Sequence, residues 1–173
     1  MVNTAISDIA SRIDQNPGQS SKLTVTVDSD AYPGEFRVPI SGTYTKLVSS
    51  TAAHKLLRPV VVNFKARLND DNGEPTIDEV YDIDNEKALA KVPVITDGIV
   101  AAKCVNQAAT VYPGEEFIAS TTAGAVTRRS QEATGATSGT AFRSVTAAVL
   151  VRKIVSGDTV GFFKIGQQMG AVY

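Results

Sequence analysis

Histidine occurs once, cysteine once and tryptophan not at all in the 173 residues of this chain. Each scarcity excludes a class of chemistry. With His54 alone, neither a two-histidine metal centre nor a His-Glu-x-x-His zinc site is possible. A serine triad would have to use His54, which sits in Ala-Ala-His-Lys-Leu-Leu with no Gly-x-Ser-x-Gly elbow nearby. Cys104 has no partner for an internal disulfide or a thiolate cluster, and its neighbours Ala101, Ala102 and Val105 mark it as a small apolar strand residue. Aromatic residues make up only 6%, too few for the stacked faces that bind sugars or single-stranded nucleic acid. The basic doublets Arg128-Arg129 and Arg152-Lys153 have no adjacent aromatic, so no nucleic-acid partner is expected. No P-loop and no Gly-x-Gly-x-x-Gly follows a strand pattern, so no nucleotide cofactor is expected either.

Long apolar runs are also missing. None approaches the ~18 residues of a membrane span, and the start Met-Val-Asn-Thr-Ala-Ile-Ser-Asp lacks the basic and apolar regions of a leader peptide. The expectation is a protein made in a cytoplasm, with no membrane partner. Net charge is −1, but unevenly spread: residues 1–97 carry 10 basic and 14 acidic side chains, residues 98–173 carry 7 and 4. From Asp70 to Glu86 there are eight acidic residues and no basic one. That run reads as a solvated face, as a docking surface for a basic partner or as a weak cation site, with Asp78, Glu79, Asp82 and Asp84 as the candidate partner contacts. Asp82, Asp84 and Glu86 are spaced like the start of a calcium loop. Lys87 stands where such a loop needs glycine, and no closing glutamate follows, so no metal is expected.

What is present is strand periodicity. Residues 3–14 first read as a short amphipathic helix, with Ile6, Ile9 and Ile13 on one face and Asn16-Pro17-Gly18 as its stop. Gln19-Ser20-Ser21 follows as a linker. This gives an N-terminal arm over residues 1–21 and a β domain over residues 22–173, divisible near residue 96 into two lobes. The isoleucine stripe fits packing on the chain's own domain or on a neighbouring subunit.

From Lys22 the period becomes two. Leu23, Val25 and Val27 alternate with threonines. Phe36, Val38 and Ile40 alternate with Arg37 and Pro39. Val60, Val62, Phe64, Ala66 and Leu68 predict one long strand with its other side, Asn63, Lys65 and Arg67, in water. Asn72-Gly73 predicts a hairpin turn. Asn85–Lys91 reads as two helical turns ended by Pro93. Further strands are predicted over Val94–Ile95, Ile99–Val105, Glu116–Ser120, Ala125–Arg128, Phe142–Val155 and Val160–Ile165, with turns at Asp97-Gly98, Pro113-Gly114, Ala123-Gly124 and Ser156–Asp158. Ser130–Thr140 reads as a polar loop. No repeat of fixed period is evident. Such spacing predicts a mainly β fold, a sandwich or barrel of short antiparallel strands.

The punctuation of residues 97–166 resembles the capsid decoration, or cement, proteins of tailed bacteriophages: Gly114-Glu115 before an apolar strand, a Gly124 hairpin, then Gly157-Asp158 before a final apolar strand. That resemblance implies no catalysis and no cofactor. It implies a virion protein on the outer capsid surface, bound to the major capsid protein and self-associated, often as trimers. Two other readings remain open at this point. One is a tail-tube or head-completion subunit, for which the Val60–Leu68 strand and its Asn72-Gly73 turn would supply a hairpin. The other is a small hydrolase whose carboxylates are brought together only by folding.

Overall fold

The chain is mainly β in a computed structural model, which describes residues 21–63, 67–69, 75–77, 91–106, 110–131 and 144–166. Its strands are β1 (Ser21–Thr26), β2 (Phe36–Ile40), β3 (Thr43–Lys46), β4 (Val60–Val62), β5 (Arg67–Asn69), β6 (Pro75–Ile77), β7 (Lys91–Val105), β8 (Thr110–Val111), β9 (Glu116–Ala119), β10 (Val126–Arg128), β11 (Ala148–Leu150), β12 (Ile154–Val155) and β13 (Val160–Ile165). Short 3-10 turns follow β3 and β10, at Ala52–Leu56 and Arg129–Gln131. The proposed helix over residues 3–14 lies outside the described residues, of which the first strand begins at Ser21.

The second half of β7 pairs with β13, and the sheet continues through β11, β9 and β10 back to β7. This closes a barrel of five strands. All of its ladders are antiparallel except the last, where β10 runs parallel to β7 through Val126–Cys104 and Thr127–Val105. Phe117 and Phe163 fill it edge to face, with ring centroids 4.9 Å apart.

β1, β2, β3 and β4 repeat this plan with the first half of β7, while β5 with β6 and β8 with β12 form two separate two-stranded sheets. β1 pairs antiparallel with the first half of β7, as β7 does with β13. β4 joins β7 to β2 as β11 joins β13 to β9, and β3 closes a hairpin with β2 as β10 does with β9. The registers coincide from Lys22 onward; only Ser21, at a bulge, is one residue out of step with its counterpart Gly98. Val62 pairs with Val94 as Leu150 pairs with Phe163, and Pro39 pairs with Tyr44 as Ala119 pairs with Val126. Even the parallel contact recurs, as a single bridge from Val27 to Tyr44. The chain is thus two copies of one β motif. β7 is shared, its first half ending the first copy and its second half beginning the next.

Gly98 marks the junction, in a left-handed conformation (φ 120°) that favours glycine. Asp97-Gly98 is therefore a kink inside one 15-residue strand, not the predicted turn between two. Pro93 lies within that strand too. It serves the ladder through its carbonyl, which accepts from Asn63 N at 2.9 Å, so its missing N–H is no obstacle. Lys91 opens the strand and does not end a helix; residues 85–90 lie outside the described residues.

Val60–Val62 also differs from expectation. All three valines are buried, as is Asn63, so this strand has no watery side. Val60 and Val62 join Val25, Val27, Val92 and Val94 in the first copy's core, while Val61 joins Phe36, Ile95 and Phe163 in the main one. A strand sandwiched between two cores is apolar on both faces. Phe64–Ala66 lie outside the described residues. β5 and β6 pair antiparallel on either side of the predicted Asn72-Gly73 turn. The single strand expected over Phe142–Val155 is instead β11 and β12, separated by Val151–Lys153.

Candidate functional site

None of the seven candidate contacts from the sequence, Ile6, Ile9, Ile13, Asp78, Glu79, Asp82 and Asp84, falls among the described residues. The polar chemistry that the structure does place lies along the seam between the two copies, on a turn the sequence spells twice. Tyr-Pro-Gly-Glu occurs at residues 32–35 and again at 112–115. Proline followed by glycine is the signature of a type II turn, which needs positive φ at its third residue; Gly34 (81°) and Gly114 (95°) supply it. A search for a fixed period misses this pair because loops of different length separate equivalent strands. Gly34 corresponds to Gly114 but Val27 to Cys104 and Val62 to Leu150.

In the first turn Glu35 is buried, and three cations surround it. Arg37 Nη2 lies 3.3 Å from Oε2, while Lys46 Nζ and Lys103 Nζ lie 3.3 and 3.2 Å from Oε1. Tyr32 N also donates to Oε2 at 3.2 Å. Arg37 is wholly buried. Its guanidinium reaches Asp28 at 3.3 Å and donates to the carbonyls of Asp30 (2.6 Å) and Tyr44 (3.2 Å), while Nε finds no partner among the described residues. The network ties the Asp28–Glu35 loop to both copies, since Lys103 belongs to the second half of β7. Main-chain bonds run along the same seam: Lys103 N to Gly34 O (2.8 Å), Phe36 N to Gly124 O (2.9 Å), Gly124 N to Leu47 O (2.8 Å) and Ser49 N to Ser120 O (2.8 Å).

The basic doublet Arg128-Arg129 is neutralised where it stands. Arg128 grips Glu115 through two nitrogens at 2.8 and 3.0 Å, and Arg129 holds Glu116 at 2.5 Å and Ser144 O at 2.9 Å. Forked arginine–carboxylate pairs of this kind fix geometry and leave little free positive potential. His54 is a satisfied core residue: it is buried, and its Nδ1 accepts from Val48 N at 3.2 Å. A cavity of about 240 Å³ opens beside the second 3-10 turn, lined by Ser49, Lys55, Thr127 and Gln131 among others, with no carboxylate among the described lining residues. Among the described residues no group of three or more metal-binding side chains converges, and no helix is long and apolar enough to cross a membrane.

Cys104 is buried, as a small apolar strand residue should be. Burial, helped by the Asp158 carboxylate, pushes its thiol from an ordinary 9.0 up to about 12. At pH 8 its thiolate fraction is then ~1,000-fold below that of the unfolded chain. A thiol reagent should modify it slowly in the native protein and rapidly in denaturant; equal rates would place the thiol at the surface. The unfolded thiol ionises first, so this residue's contribution to stability is complete below pH 9 and is lost as pH rises from about 9 to about 12.

A scan against protein-family models finds no match to the chain, and a search of curated proteins finds none.

Proposed function

We propose that this chain is a structural protein of a tailed-phage particle that binds the outer capsid surface and cements neighbouring capsomers. The observation that supports this reading is where the punctuation behind the resemblance falls. Pro113-Gly114-Glu115, Gly124 and Gly157-Asp158 are the turns of the barrel half, and each leads into or joins its strands. Asp158 is buried and accepts from Val155 N at 2.8 Å, so the Gly-Asp pair is built into the turn before the final strand. Many turns projecting from a closed sheet offer contacts without a pocket, which suits a protein that works by adhesion rather than by chemistry. In this reading the protein self-associates, as trimers, and its partner is the major capsid protein.

The test is co-sedimentation of the purified chain with shells assembled from the capsid protein alone. Saturable binding with a rise in the shells' melting temperature is the expected result. Failure to bind shells, or stacked rings of the chain alone in negative stain, would overturn it in favour of a tail-tube role. Removing residues 1–18, with the Ile6, Ile9 and Ile13 stripe, is expected to leave the barrel's denaturation midpoint unchanged and to weaken shell binding. Each isoleucine buried on a neighbour contributes roughly 1.5–3 kcal/mol before ordering costs. Undiminished binding by the shortened chain would move the contact onto the β domain.

A further inference from the structure

The two Tyr-Pro-Gly-Glu turns are built alike and surrounded differently. Gly34 N donates to Val62 O at 2.8 Å and Gly114 N to Leu150 O at 2.8 Å; Val62 N donates to Glu35 O at 2.9 Å and Leu150 N to Glu115 O at 2.9 Å. Lys46 and Arg128 occupy the same register position on the following strand, and each binds its turn's glutamate, at 3.3 and 2.8 Å.

What lies on top is not the same. The second copy covers the first turn, burying Pro33, Gly34 and Glu35. Its Lys103 fits there by three contacts at once. The main-chain N–H meets Gly34 O at 2.8 Å, the ammonium meets Glu35 Oε1 at 3.2 Å, and the same ammonium lies 4.9 Å from the centroid of the Tyr32 ring. Pro113 and Gly114 are exposed instead, Tyr112 is 63% exposed and the Glu115 side chain 37% exposed. No lysine sits over Tyr112 among the described residues.

We propose that Tyr112–Glu115, with Arg128 beside it, is a docking site for a lysine-bearing β-strand of another protein, held as Tyr32–Glu35 holds Lys103. The aromatic face is open to an ammonium, and Glu115, though forked by Arg128, keeps acceptor capacity on Oε1, as Glu35 Oε1 takes both Lys46 and Lys103. Gly114 O would accept from the strand's backbone as Gly34 O accepts from Lys103 N. A second copy of this chain fits less well. Register makes Thr26 the counterpart of Lys103, because Thr26 pairs with Lys91 as Lys103 pairs with Val160. A copy docked in the equivalent way would bring a hydroxyl where the site takes a cation. The inference deepens the particle-binding reading and rests on it for the partner, which becomes a lysine-bearing strand of the shell.

The first experiment needs no shell. A capped peptide copying Ile99–Val105, with serine in place of Cys104, is titrated into the full chain at millimolar concentration and followed by amide NMR. Shifts confined to residues 112–116 and 128 are expected. They should weaken about threefold or more in Glu115→Gln, and vanish with a peptide carrying norleucine for the lysine. No shift at the turn, or the same shifts with the norleucine peptide, overturns the site. The second experiment compares Tyr112→Ala/Glu115→Gln with the parent in shell co-sedimentation, after checking that both melt alike. If the parent binds and the variant binds equally, the site is wrong while the particle-binding reading stands. If the parent does not bind shells, that reading falls and the peptide titration alone decides the site. Loss of a homo-oligomer in the variant, read by sedimentation, would assign the turn to a second copy and overturn the choice of partner.

Discussion

Replacing Phe163 with alanine is expected to lower the free energy of unfolding by about 3–5 kcal/mol. The ring is wholly buried, meets Phe117 edge to face at 4.9 Å and meets Phe36 at 6.3 Å with a 71° interplanar angle. Phe117 belongs to the second copy and Phe36 to the first, so this one side chain packs where the two halves join. Paired rings add ~0.5–1.5 kcal/mol beyond the area they bury, which places the loss toward the upper end of the range. The surroundings cannot collapse around the hole, because strands on either side are fixed by ladders through β7. Phe162, its neighbour on the outer face, is half-buried under the Arg152 guanidinium at 4.5 Å. Phe162→Ala should cost clearly less. Urea denaturation of both variants tests the pair, and equal losses would mean the barrel's interior is assigned to the wrong face. The same curves test whether the halves unfold together: a shared strand and a shared core predict one transition.

Much of this architecture was legible because strand alternation and turn residues are local signals. β1, β2, β9, β10 and β13 fall where period-two runs and Gly turns place them. The failures share a cause, which is that ladder partners lie far away in sequence. Pro93 and Asp97-Gly98 are breakers by local chemistry, yet β1, β4 and β13 pair along the whole of β7 and carry the strand through both. Val60–Val62 looks like the start of an amphipathic strand, but a second core on its far side buries what local pattern sends to water. β3, with the sequence Thr-Tyr-Thr-Lys, has no apolar alternation and shows only through its register with β2. The duplication was spelled in the sequence by the two Tyr-Pro-Gly-Glu turns. The side chains that follow disguise it: Phe36 and Arg37 hold the positions of Glu116 and Phe117, so apolar and charged residues have exchanged faces. The acidic run from Asp70 and the isoleucine stripe, chosen as contacts from the sequence, fall outside the described residues.

That exchange leads to the second large effect. Arg37 occupies, in the first copy, the inward position that Phe117 fills in the second, and it is wholly buried beside the valine core. A buried guanidinium is tolerated only with compensation close by, and among the described residues Glu35 is its one buried carboxylate. Glu35→Gln removes that charge, leaving Arg37 with Asp28, whose side chain is 40% exposed, and with carbonyls. The expected cost is about 3–5 kcal/mol, the usual penalty for stranding one member of a buried pair. Arg37→Met should cost less. It removes the most buried cation together with an Nε that has no partner among the described residues, itself a burden of ~1–3 kcal/mol, and Glu35 keeps Lys46 and Lys103, whose side chains are 28% and 31% exposed. The distinguishing measurement is the double variant. With both buried charges gone, Glu35→Gln/Arg37→Met should be more stable than Glu35→Gln alone, because the added substitution deletes the stranded cation. Urea denaturation of the four proteins gives the coupling directly. Raising sodium chloride to 0.5 M should hardly change it, since a pair out of contact with solvent is weakly screened. Strictly additive losses would show that Glu35 and Arg37 contribute independently and would overturn the reading of them as a coupled buried pair.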